Sequence, residues 1–366
     1  MQTTASIPTD QFTDLLERLP AGLDLDRLAL ETKAIQRKRK IGGGASLLRL
    51  ALARGPGGFS LRQTAGWVSL LEIAELSNPG VHYRLKQAVA FLAAIVGLLL
   101  AAKAPGARLR WPGRTLRLAD GTCVSKPGSK GTDWRIHGVF DLGSGGFSHL
   151  ELTDKHGAEA LERGAPIAGE IRIGDRNYAR APVLKRFLAE ARGMADFIAR
   201  VGWNALQLST PRGKPFDLIR YLQRLPTGMR PHEVTLHAAA GRGEAALPLR
   251  LIIQRKTPEA TEATRLALRR AATKKGKKLD PRSLVAAEFM ILGTSLSKRG
   301  YTAKHILAVY RLRWQIELAF KRLKSLPHID KLPTWTERTS RSWLYAHLIL
   351  ALLCDDLSQD FLESSP

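Results

Sequence analysis

Two segments of the chain carry one five-residue pattern, Leu116-Arg117-Leu118-Ala119-Asp120 and Ile171-Arg172-Ile173-Gly174-Asp175. In an extended chain successive side chains alternate between faces. Each segment therefore sets its two aliphatic residues and its aspartate on one face and its arginine on the other. Read as strands, both are expected to lie in a sheet with a buried face, each ending in an aspartate where that face runs out. A carboxylate in such a place can hold a metal ion without being entombed. Taken singly, an aspartate before glycine or arginine is also ordinary turn chemistry.

Around these segments the texture is that of a mixed α/β chain. Thr115 to Asp120, Arg135 to Asp141, Phe147 to Thr153, Glu170 to Asp175 and Asp196 to Trp203 read as five strands, with helices expected at Glu159 to Arg163 and Pro182 to Arg192. Three strands in series followed by alternation with helices imply a mixed sheet with helices against it. Residues 206 to 281 add β-like material, including Glu233 to His237 and Pro248 to Gln254. Helices are expected from Thr302 to about Leu326, where Pro327 stops the run, and from Glu337 to Phe361.

Residues 1–105 read as helical. Ser60 and Gln63 have capping-box spacing and open a helix to about Ser77. Asn78-Pro79 then supplies a cap and a first-turn proline for a helix running to about Lys103. Such a pair resembles a helix-turn-helix at 60–102, although any helical hairpin has this form. The apolar run Ala88 to Ala102 has 15 residues, short of the roughly 20 a membrane span needs, and is expected to be a buried helix. No membrane association is expected.

Charge narrows the partner. Lys and Arg outnumber Asp and Glu by 57 to 33, a net charge of +24, yet 44% of residues are hydrophobic, which excludes a disordered basic tail. The excess predicts attraction to a polyanion, nucleic acid first. Part of it sits in Arg37-Lys38-Arg39-Lys40 and part in Arg269, Arg270, Lys274, Lys275, Lys277 and Lys278. The second group is expected to be a solvated loop or a phosphate-facing arm. Cys123 and Cys354 are far apart and in no paired motif, so neither a disulfide framework nor a zinc knuckle is supported and a reducing cytosol is expected.

A third acid stands on the helix expected from Thr302. Arg313, Glu317, Lys321 and Lys324 follow Tyr310 by 3, 7, 11 and 14 positions, which on one continuous helix confines all five to a sector of about 80°. Val309, Leu312, Ile316, Phe320 and Leu323 form the neighbouring core-facing stripe. The alternative is an amphipathic surface helix with a Glu317/Lys321 ion pair. Trp314 lies on the rim, suited to packing or to base stacking.

Together these residues resemble the insertion-sequence-four family of DDE transposases. Tyr310-x2-Arg313-x3-Glu317-x6-Lys324 is similar to its Y-R-E-K signature, Asp120-Gly121-Thr122 to its first acidic motif, and Asp175-Arg176-Asn177-Tyr178 to its second. The run Glu151 to Glu159 resembles the family's approach to the second acid. The resemblance implies a ribonuclease H-like catalytic core, a mixed five-stranded sheet with flanking helices, formed by 106–204 and 286–330. A mainly β insertion at 205–285 interrupts it, an N-terminal helical DNA-binding domain at 1–105 precedes it, and a helical segment at 331–366 serves core packing or dimerisation. It implies Asp120, Asp175 and Glu317 as a catalytic and metal-binding triad for two Mg²⁺ ions, with Mn²⁺ as a substitute. Tyr310, Arg313, Lys321, Lys324 and Arg176 are expected to meet DNA, with the two basic clusters. Arg176 and Tyr178 also suit a purely structural role beside Asp175.

The function so implied is a transposase that binds terminal inverted repeats of double-stranded DNA, cleaves phosphodiester bonds and joins the 3′ end to target DNA, as a homodimer in the bacterial cytosol. Two other readings of the same residues are a DNA-binding repressor descended from such an enzyme and a nuclease of the same core without strand transfer.

Overall fold

The computed structural model describes residues 12–37, 40–102, 110–111, 113–126, 128–129, 131–313, 316–317, 319–320, 332 and 336–364. In it the two matching segments are neighbouring strands. β2 (Arg114–Val124) and β5 (Glu170–Gly174) run parallel, with Leu116 beside Ile171 and Leu118 beside Ile173. β3 (Trp134–Asp141) and β4 (Gly146–Asp154) extend the sheet on one side as antiparallel hairpin partners, and β6 (Asp196–Arg200) joins β5 in parallel on the other. β1 (Arg110–Trp111) pairs with the start of β2. The five strands expected from the sequence are present as one mixed unit, in the order β4-β3-β2-β5-β6.

The sheet does not stop there. β10 (Phe289–Thr294) pairs antiparallel with β6, then β9 (Leu247–Arg255), β8 (His232–Ala238) and β7 (Leu208–Ser209) follow, so the expected insertion continues the same ten-stranded sheet. Apolar alternation is the cause. Ile252 and Leu292 reach one face of the sheet, while Leu251, Ile253 and Ile291 reach the other.

Each face carries its own core. One holds Leu116, Leu118, Ile171, Ile173 and Ile198 and is covered from both ends of the chain. The N-terminal helices are α1 (Phe12–Glu17), α2 (Leu25–Glu31), α3 (Gly44–Arg54), α4 (Leu61–Leu70), α5 (Asn78–Gln87) and α6 (Val89–Ala102). The Ser60 capping box forms as expected, with reciprocal bonds to Gln63. Ser77, rather than Asn78, caps α5. The helix expected from 78 to 103 is broken at Ala88 and bent by 52°. Its second half is buried on most sides through Phe91, Leu92, Ile95, Val96 and Leu99, packing against β4 and the last helix, while α5 keeps an exposed side. Among the described residues no single helix is long and apolar enough to cross a membrane. The boundary expected near residue 105 falls outside the described residues.

The other face is covered by α7 (Ala181–Glu190), α8 (Leu218–Gln223), α10 (Pro281–Ala286) and the connection before β5. The helix expected at Glu159 to Arg163 is a turn instead. Arg172, fully buried and paired with the buried Glu170, donates from Nη1 to the carbonyls of Leu161, Arg163 and Gly164 at 2.8–2.9 Å. A backbone that turns three carbonyls onto one guanidinium cannot also bond them along a helix axis.

Two further expectations are corrected. The basic segment at 269–278 is mostly helix: α9 (Pro258–Lys274) is capped by the Thr257 hydroxyl and led by Pro258. The helix expected from Thr302 does start there, but α11 (Ala303–Arg311) stops at Leu312, whose amide and that of Arg313 make i−3 bonds. Helical backbone resumes at 316–317 and 319–320, so Tyr310 and Glu317 are not on one unbroken helix. The closing helix α12 (Glu337–Ser364) lies along α6 and against α3 and α5. Its residues Trp343, Leu344, Leu348 and Leu353 are buried, so that apolar face is used within the chain.

Candidate active site

The parallel β2/β5 ladder ends at the pair Ala119 and Gly174. Asp120 is the next residue of β2 and Asp175, still extended, the first residue after β5, so alternation sends both to the face of Leu118 and Ile173. β5 ends there and the chain turns into the one-turn 3₁₀ helix Arg176–Tyr178. β2 does not end: it continues to Val124 against β3, so Asp120 lies within a strand, not at its terminus as expected. Its exposure comes from the end of its neighbour β5.

The two carboxylates differ in their partners. Asp120 Oδ1 accepts from the amide of Gly121 at 2.8 Å. Asp175 Oδ1 is buried without a hydrogen-bond partner. Burial, opposed by the Gly121 amide and Arg313 and reinforced by Glu159 and Asp175, pushes the Asp120 carboxyl up to about 6. A pair of crowded acids, one with an orphaned oxygen, is a donor set that fits a divalent cation.

Above them stand the end of α11 and the segment after it. Tyr310 is buried, its hydroxyl lacks a hydrogen-bond partner, and burial followed by the charge of Asp175 pushes it up to about 12. Arg313 Nη2 bonds Glu317 Oε1 at 2.6 Å, and its charge also acts on Asp175 and Asp120. Glu317 is thus linked to the aspartates through Arg313, with its own side chain about half exposed. Among the described residues no three Asp, Glu, His or Cys groups stand close enough to share one metal ion. Lys321, Lys324 and Trp314 lie outside the described residues.

A bare position opposite Asp120 seats this segment. Gly138 of β3 is the direct cross-strand partner of Asp120. A Cβ there would lie 2.8 Å from both Phe147 and Phe320, and these two rings pack at 5.2 Å between centroids. With Ile316 and Phe320 buried, the turn carrying Glu317 is anchored over the strand that faces Asp120.

Glu159, on the turn before β5, was not singled out by its sequence. Its Oε1 would lie 3.4 Å from a Cβ on Gly121, and its carbonyl accepts from Arg180. Arg135 and Arg163 hold the carbonyls of Gly157 and Ala158, fixing the same turn. Tyr178 is buried beneath Gly174. The remaining basic residues lie apart from this centre in the sequence: Arg37 and Lys40 are exposed, Lys38 and Arg39 lie outside the described residues, and Arg269, Arg270, Lys274, Lys275, Lys277 and Lys278 are exposed on and after α9.

Residues 111–353 match the family "Transposase DDE domain". The chain belongs to the DDE transposase family. It is 37% identical over 360 residues to the transposase for insertion sequence element IS421 of Escherichia coli, covering 98% of this chain and 96% of that one. It is also 37% identical over 359 residues, with the same coverage, to the InsL protein of Escherichia coli strain K12, named as a transposase for element IS186A. The transposase for IS231F of Bacillus thuringiensis subsp. israelensis is 24% identical over 380 residues, covering 94% of this chain and 79% of that protein. A piggyBac transposase in a synaptic complex with hairpin DNA aligns over 95% of this chain and 73% of its own with a TM-score of 0.43 and 10% identity, too distant for any inference. This DDE transposase thus places two of its expected acids side by side and its expected glutamate on an arginine-linked arm beside them.

Two measurements test this geometry. The folded chain favours protonated Asp120, so its contribution to stability is complete at low pH and is lost as pH rises through about 6. In the metal-free protein Asp120→Asn should therefore be more stable than wild type by roughly 2 kcal/mol at pH 7 and nearly equal to it at pH 4, by urea unfolding. An equal difference at both pH values would contradict the placement. Gly138→Ala should destabilise by about 1–3 kcal/mol through the crowded rings, and Phe320→Leu in the same chain should recover part of the loss. Strict additivity of the two would show that the contact is absent.

Proposed function

We propose that this DDE transposase belongs to the insertion-sequence-four group, binds the terminal inverted repeats of its element, cleaves their phosphodiester bonds with divalent metal, and joins the freed 3′ ends to target DNA. The observation that carries the proposal is the side-by-side position of Asp120 and Asp175 at the end of the β2/β5 ladder, with the Arg313–Glu317 pair beside them. The 37% identity to insertion-sequence transposases over nearly the whole chain supports the same reading.

Asp120, Asp175 and Glu317 would hold two Mg²⁺ ions, or Mn²⁺ in their place, which supply an activated water and stabilise the departing 3′ oxygen. Arg313 has two tasks in this scheme. Without DNA its guanidinium neutralises Glu317. A phosphate entering the site competes for the same guanidinium and frees the glutamate to turn toward the aspartates. Tyr310, with an unpartnered hydroxyl, can donate a hydrogen bond to a phosphate oxygen, and Arg176, with Lys321 and with Lys324 of the signature, is proposed to contact DNA. The exposed cations of α9, with Arg37 and Lys40, suit duplex farther out, and Lys38 and Arg39 are proposed to join them by their charge. Two element ends must be brought together, so the proposal includes a homodimer on DNA, acting in the bacterial cytosol.

The direct test is incubation with end-labelled terminal-repeat DNA and Mg²⁺, with products separated on a denaturing gel. Wild type should cleave the repeat end and transfer its 3′ strand. Asp120→Ala, Asp175→Ala and Glu317→Ala should each lower cleavage at least a thousandfold and leave DNA binding within a few-fold. Cleavage retained by any one of them would overturn the triad. Nicking without joining would favour the nuclease reading, and binding without cleavage by wild type the repressor reading.

A further inference from the structure

A cavity of about 230 Å³ lies where α3, α4 and α5 meet the start of α12. Arg54 enters it from the end of α3, Leu61 from the start of α4, Leu85 from α5, and Ser342 and Trp343 from α12. The close approach of α3 to α12 depends on Gly55, where a Cβ would stand 3.0 Å from the Cβ of Ala346. Among the described residues no carboxylate lines the cavity.

Three features define what would fill it. Arg54 donates from Nη1 to the carbonyl of Phe59 at 3.1 Å and forms no ion pair among the described residues. Burial lowers its pKa, and no neighbouring acid opposes the shift. A half-buried guanidinium without a counter-ion is relieved by an anion brought to it. Leu61, Leu85 and Trp343 give the space an apolar wall. Ser342, buried in α12, already donates its hydroxyl proton to the carbonyl of Thr339 at 3.1 Å, so what it offers the cavity is a lone pair. An anion, a flat apolar body and one hydrogen-bond donor are thus asked of a single ligand. A duplex phosphate supplies only the first, and a strand tracked along a surface needs several cations in the open rather than one within a junction of helices.

We propose that this cavity is a small-molecule site for an aromatic carboxylate bearing an N–H or O–H donor, with Arg54 on the carboxylate, the apolar wall on the ring and Ser342 on the donor. The site is independent of the DNA-cleaving reading, since none of its residues belongs to that chemistry. A ligand held there touches the N-terminal helices and the closing helix at once. Its binding energy therefore stabilises their junction by mass action.

The test is calorimetric titration of the full-length protein, at low salt and pH 7, with indole-3-carboxylate, with indole, with 1-naphthoate and with inorganic phosphate. Indole-3-carboxylate should bind at one site per chain and raise the melting temperature. It should bind about tenfold more tightly than indole, which lacks the carboxylate, or phosphate, which lacks the ring, and about threefold more tightly than 1-naphthoate, which lacks the N–H. Arg54→Gln, which removes the charge, and Leu61→Trp, which fills the space and keeps it, should each weaken binding about tenfold in protein that melts near wild type. Hydrogen exchange locates the ligand even if a variant does not fold: in wild type the amides of 51–61, 82–85 and 336–343 should gain protection, and those around Asp120 and Asp175 should not. Absence of binding, equal affinity for indole, 1-naphthoate or phosphate, unchanged affinity in a folded variant, or protection confined to other segments would overturn the site.

Discussion

Everything at the candidate site depends on the register of one parallel strand pair. β2 and β5 are locked by Leu116 beside Ile171 and Leu118 beside Ile173 on one face, and by Arg117 and Arg172 on the other. A slip of one residue would move the apolar residues to the face of the arginines and separate the two aspartates. The buried Glu170 bridges this lock, pairing with Arg172 and lying 3.4 Å from Arg117. Breaking such a buried pair by removing one partner costs about 3–5 kcal/mol. The register is therefore held by charge as well as by packing. Asp120 and Asp175 lie side by side one residue past the last β2/β5 pair, and Asp120 is left uncovered on that side because β5 ends at Gly174 while β2 runs on.

Around that lock, small residues decide what can approach. Gly138 leaves room for Phe320 opposite Asp120, because a Cβ there would stand 2.8 Å from that ring and from Phe147. The arm carrying Glu317 is then attached through the buried Ile316 and Phe320, while its carboxylate stays on Arg313. Site residues come from segments almost 200 positions apart, and the sheet is the surface on which they meet.

Much of this was legible in the sequence because it depends on local periodicity. The five strands of the β4-β3-β2-β5-β6 unit, the Ser60 capping box, the cap at Thr302 and the closing helix follow from alternation and end signals. What failed did so for identifiable reasons. Asp120 looked terminal because a glycine follows it, but cross-strand bonding to β3 carries β2 onward. Residues 159–163 had helix-forming composition, yet a buried Arg172 claims their carbonyls. The basic segment read as a loop by its charge, although Thr257 and Pro258 signalled a helix start. Leu312, where α11 stops, has neither proline nor glycine to mark it. Glu159 and Gly138 were invisible because their neighbours are set by tertiary register alone.

In the function proposed, Asp120 and Asp175 share a cation site that Glu317 completes once a phosphate occupies Arg313. Manganese binding, followed by electron paramagnetic resonance as the loss of free Mn²⁺ signal, tests this most directly. Wild type should bind Mn²⁺ more weakly as pH falls through 6, Asp175→Asn should lose that binding, and Glu317→Gln should matter much more with repeat DNA present than without it. Unchanged binding in Asp175→Asn, or an equal effect of Glu317→Gln with and without DNA, would contradict the account.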